Sequence, residues 1–149
     1  MKRLCLTLSA IATLAFADGF TFTIGSPVAS QDFRAKAAAF VFRTDGCADL
    51  SKAQVSATAE GMVKGVRRTV VLTVAASPKP GVYAVFRHWP AEGDWVVNLK
   101  GTCAGAGAGA IVPMGPNGFI RESSKFFPRP ATGEEIETVL KAHAKGENK

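Results

Sequence analysis

Histidine and cysteine are scarce in this 149-residue chain, which has two of the first and three of the second. With only His88 and His143 as imidazole bases and no Gly-x-Ser-x-Gly elbow, a serine-hydrolase triad is not expected. No Cys-x-x-Cys spacing occurs, which argues against a redox or metal-binding cysteine pair. Beyond residue 17 no hydrophobic run approaches the ~20 apolar residues of a membrane-spanning helix. Basic residues exceed acidic ones, 18 to 12, yet beyond residue 17 they are scattered singly except for Arg67 and Arg68. A nucleic-acid-binding face would concentrate them, so no nucleic-acid partner is expected. Gly105, Gly107 and Ala110 loosely mimic a dinucleotide fingerprint, but Pro113 falls where the helix of that motif must start, and no cofactor is expected.

What is present begins with a leader. Lys2 and Arg3 precede the uncharged stretch from Leu4 to Phe16, and Ala15, Phe16 and Ala17 supply a small-x-small cleavage site. The pattern predicts a signal peptide at residues 1–17 with cleavage after Ala17; a site after Ala29 is the competing one. Cys5 lies too near the start to be a lipidated cysteine. Removing 17 of 149 residues leaves 132, and with them go two of the 18 basic residues, so 16 basic residues face 12 acidic ones, about +4. That length suits one domain with a real core. Export predicts a periplasmic or secreted protein, and Cys47 and Cys103, the pair left once Cys5 departs, are expected to form a disulfide.

The mature chain reads as mainly β. Residues 18–33 mix Gly, Phe, Thr, Ser and Pro without clear period and are read as a loose arm, in which Phe20 and Phe22 are available to add an edge strand. Strands are predicted at 37–43, at 54–59 with Val55, Ala57 and Ala59 on one face, and at 68–75 with its β-branched run. Ser77 to Gly81 must be a loop. Segments 82–89 and 94–101, joined by Pro90-Ala91-Glu92-Gly93, are predicted to form a hairpin. The alternating Ala-Gly tract from Ala104 to Ala110 is read as a flexible loop. A last strand falls within 119–127. Thr132 and Glu135 have capping-box spacing, and Ile136, Val139 and Leu140 share a helical face, so a short helix closes the chain. The expected architecture is an immunoglobulin-like or prealbumin-like β-sandwich at 34–130, with the helix and tail at 131–149.

Pro80-Gly81-Val82-Tyr83-Ala84, followed by Pro90-x-x-Gly93-x-Trp95-x-Val97, resembles a pattern of small exported β-sandwich domains, the YtkA-like group, over about Ala53 to Lys100. The resemblance implies a sandwich fold, pairing of the Tyr83 strand with the Trp95 strand, and an accessory role in the envelope. It carries over no catalytic residue. An antibody-type domain is not expected, because no Trp closely follows Cys47 and Gly101 stands two before Cys103.

The remaining chemistry has structural readings. Glu92 and Asp94 sit in the predicted turn, and Glu134, Glu135 and Glu137 open the helix, where negative charge suits the dipole. His88 with Met62 or Met114 would offer soft ligands for Cu(I), although no ligand spacing is visible. Tyr83 and Trp95 are expected in the core, while Trp89 is a candidate for ligand contact. The leading expectation is a noncatalytic exported domain that binds an envelope protein or glycan through its loops, with a copper-binding or metallochaperone-like accessory protein as the alternative.

Overall fold

A computed structural model describes residues 19–27 and 35–146 of the chain; the predicted leader and both candidate cleavage sites lie outside them. Ten strands among the described residues form two antiparallel sheets. The first sheet has the order β1-β2-β6-β5, with β1 at Thr21–Gly25, β2 at Phe40–Asp45, β6 at Val82–Val85 and β5 at Val74–Ala76. The second has the order β10-β8-β7-β3-β4, built from Lys125–Phe127, Ala106–Gly115, Asp94–Cys103, Gln54–Val63 and Val66–Leu72 in that order, and the short β9 at Gly118–Phe119 also pairs with β8. Period-2 alternation aims one side of each strand inward. Phe22, Phe40, Phe42 and Val85 from the first sheet, with Phe20 just before β1, meet Ala57, Ala59, Val97, Leu99, Ala108, Ala110 and Val112 from the second in one shared core. The molecule is thus a mainly β sandwich.

The helix α1, Gly133–Ala144, forms a third layer on the outer face of the larger sheet. Its start follows the sequence closely: the Thr132 hydroxyl accepts from the Glu135 amide, and the Glu135 carboxylate accepts from the Thr132 amide. Ile136, Val139 and Leu140 pack on Val96 and Ile111, which point out of β7 and β8 on the side away from the core.

Four expectations are corrected. The segment read as a loose arm contains β1, the edge strand that Phe20 and Phe22 were available to add, and Phe22 and Ile24 are buried because alternate residues face the core. The run at 68–75 is not one strand: it breaks at Thr73, leaving β4 in one sheet and β5 in the other. No Gly or Pro marks that corner, and the core claims Leu72 before the break while Val74 packs against it afterwards. The predicted hairpin also fails. β6 pairs with β2 and β5, and β7 with β3 and β8, so the Tyr83 strand does not pair with the Trp95 strand. Residues 86–93 instead carry the chain between the sheets, drawn inward by the burial of Trp89 in the core. Finally, only Ala104 and Gly105 of the Ala-Gly tract form a turn; from Ala106 on the tract belongs to a strand, β8, paired on both sides in the larger sheet. Its alanines, Ala108 and Ala110, face the packed core, while on the opposite face a Cβ on Gly109 would lie 2.4 Å from the Arg129 carbonyl oxygen. The glycines are there because the chain crosses directly over them.

The last-strand prediction resolves into β9, a turn of 3-10 helix at Arg121–Ser123, and β10. Cys47, beyond the end of β2, and Cys103, at the end of β7, lie within disulfide distance, with Cα atoms 5.9 Å apart. No helix among the described residues is long and apolar enough to cross a membrane.

Candidate functional site

The crossing at 86–93 shapes a cleft of about 610 Å³ at one end of the sandwich. The segment Ala37 to Ala39 forms one wall, the crossing and the start of β7 form another, and the end of β8 with Gly115, Pro116 and Gly118 closes the third. Trp89, Trp95, Met114 and His143 supply its deeper surface, and Arg87, Ala91 and Asp94 line it nearer the opening.

Each of these side chains is positioned by a local cause. Trp95 is held by an indole N–H that donates to the Glu92 carbonyl at 2.9 Å. Its ring lies flat against the neighbouring strand at Gly61, where an added Cβ would meet the ring at 2.4 Å. Trp89 is buried among the core residues, with the Arg87 guanidinium 5.6 Å from its ring centroid. Arg87 is itself exposed, and its Nη2 donates to the Pro90 carbonyl at 3.4 Å. His143 is 1 % exposed, in the last turn of α1, with Nε2 3.0 Å from the Met114 carbonyl oxygen. A carbonyl only accepts, so Nε2 carries the proton in this contact.

The residues singled out in the sequence fare differently. Trp89 belongs to the core and lines the cleft from within, rather than standing exposed for ligand contact. Tyr83 is part-buried and stacks on Phe42, with centroids 5.2 Å apart, and Trp95 is buried. His88, Met62 and Met114 are not brought together. His88 is exposed on the crossing; Met62 pairs with Asp94 and Met114 with Trp95, and adjacent positions 94 and 95 put the two sulfurs on opposite faces of the sheet. Among the described residues no three His, Cys, Asp or Glu side chains gather as a metal site.

Three cleft residues went unread as site residues. Arg87 and Asp94 adjoin residues singled out in the sequence, His88 and Trp95, but neither belongs to a motif of its own, and the sheet crossing sets them at one opening. His143 did carry a signal, since it continues the buried helical series Ile136, Val139, Leu140 at the next turn. Comparisons of the chain with family models, with curated proteins and with solved structures find no match.

Proposed function

We propose that this chain is a noncatalytic exported domain of the cell envelope, periplasmic or secreted, that receives a small ligand or a protruding part of an envelope protein or glycan in its end cleft. The observation that carries this reading is the cleft itself. Its volume lies within the range of small-ligand sites, its depth is formed by Trp89, Trp95 and Met114 beside the buried His143, and a cation and a carboxylate, Arg87 and Asp94, stand where they can orient an occupant. The ionisable side chains among the described residues lining it are Arg87, Asp94 and His143, and the last is held on the Met114 carbonyl. The cysteine pair within disulfide distance and the predicted leader support export.

Both tryptophans of the chain line the cleft, so intrinsic fluorescence reports its occupancy. Titration with muropeptides, oligosaccharides and short peptides of envelope origin is expected to give a saturable change with one of these classes. Arg87→Ala, at an exposed position, is expected to weaken that response about tenfold or more while leaving the fold intact, since charge-assisted hydrogen bonds contribute ~1.5–3 kcal/mol. No saturable change with any class, or a response that Arg87→Ala leaves untouched, overturns the cleft as the binding site.

A further inference from the structure

β4 is the longest outer strand of either sheet: seven residues, against five in β1 and three each in β5 and β10. Among the described residues it pairs only with β3. The connecting turn is Lys64-Gly65, both with positive φ (50° and 76°), as in a two-residue hairpin. Such a turn leaves Val63 and Val66 as a hydrogen-bonded pair, and the register runs unbroken from there to Ala57 opposite Leu72. Residues 66, 68, 70 and 72 therefore exchange backbone bonds with β3, while the N–H and C=O of Arg67, Thr69 and Val71 point away from the sheet. Val71 is 79 % exposed and Val66 55 %, two of the three exposed large hydrophobic side chains among the described residues. Edges of this kind are ordinarily guarded by charge. Here Arg67 is turned onto Glu60 and Glu137 on the helix side, where its charge is matched, and Arg68, which is exposed, is the one other charge on the strand.

We propose that β4 is the surface through which two copies of this chain associate, pairing antiparallel about a two-fold axis at Thr69. The strand V-R-R-T-V-V-L is self-complementary in that register. Thr69 meets Thr69 of the second copy, Arg67 meets Val71, and Arg68 meets Val70, so no arginine stands directly opposite another. All three outward-pointing residues of each copy find partners, giving about six backbone hydrogen bonds. Val71 then lies directly opposite Arg67 of the second copy, on the same face of the joined sheet. The larger sheets join into one continuous sheet through an isologous contact. No β4 residue lines the end cleft, so this surface is independent of it.

Sedimentation velocity of the purified exported protein across a micromolar concentration series tests the pairing. A reversible dimer is expected. Val71→Arg places like charges directly opposite and is expected to raise the dimer dissociation constant at least about tenfold, with an unchanged melting curve at a position this exposed. Thr69→Cys faces itself across the axis at a Cα separation of about 5.5 Å, within reach of a disulfide, and is expected to give a covalent dimer faster than Lys125→Cys, an exposed control on β10. A monomer at every concentration, a dimer that Val71→Arg leaves intact, or equal cross-linking at both positions overturns the proposal.

Discussion

At Gly109 a single missing side chain decides a layer of the structure. The chain leaving β10 passes over β8 so closely that a methyl group there would run into the backbone of Arg129 and also approach the Ala131 amide at 2.9 Å. Backbone cannot yield as a flexible side chain does. Gly109→Ala is expected to destabilise the fold by about 1–3 kcal/mol, read as a lower urea midpoint. An unchanged midpoint would show that the crossing can lift without cost. The same residue explains why composition misled: an Ala-Gly alternation lowers packing in isolation, and it becomes a close-packed strand only when other chain segments lie against both faces.

At the scale of elements, α1 is tied down at two places. At its N-terminus the Glu135 carboxyl is held down to about 2 from an ordinary 4.5, chiefly by two hydrogen bonds from Arg129, at 2.8 and 2.9 Å, and next by the Thr132 amide. A carboxyl depressed in the folded state stabilises it above the ordinary value, and that contribution fades as pH falls from 4.5 toward 2. Helical circular dichroism of the wild type is expected to melt at lower temperature across that window, and Glu135→Gln is expected to flatten that part of the pH dependence. In its middle, Glu137 joins Arg67, which also donates to Glu60 at 2.9 Å. Glu60 is buried, and it accepts from Thr58 and Thr69 as well, at 2.8 and 2.7 Å. Partial burial works to lower the Arg67 pKa, but hydrogen bonds and attraction from Glu137 and Glu60 outweigh it and leave the pKa raised. Arg67→Ala strands a buried carboxylate with only two hydroxyl donors. The expected cost is about 1–3 kcal/mol in chemical denaturation, and Glu60→Gln in the same background should recover part of it.

At the scale of the whole molecule, Cys47 and Cys103 connect the two sheets at one end, across a sequence separation of 56. In the chain-entropy description, a link of that span stabilises by about 4 kcal/mol. Paired Cys47→Ala and Cys103→Ala substitutions are expected to lower stability by an amount of that order, and thiol titration of denatured, unreduced protein should find no free thiol from this pair. Two titratable thiols would remove the staple. Mass spectrometry of exported protein is expected to place the mature N-terminus at Asp18; an intact Met1 on secreted material would remove the export argument.

Local chemistry made some of this protein legible from its residues. A capping box needs only Thr132 and Glu135 three positions apart, a helix face needs only Ile136, Val139 and Leu140, and residues 54–59, the first part of β3, show their buried side through alternation at Ala57 and Ala59. Cys47 and Cys103 could be paired in advance because two cysteines left in a predicted exported chain allow one partnership. The break at Thr73, the parting of β6 from β7 and the end cleft were decided otherwise. In each case the backbone preference on either side is extended, and extended chain serves equally well in either sheet. Which sheet it joins is set by where Leu72, Trp89 and Trp95 find room in the shared core, a many-body packing outcome that no spacing records. Arg87, Asp94 and His143 line the same cleft only because of that outcome, so the helix and the alternating strands follow from sequence, while β8, the split of β4 from β5 and the site follow from how the two sheets close on one another.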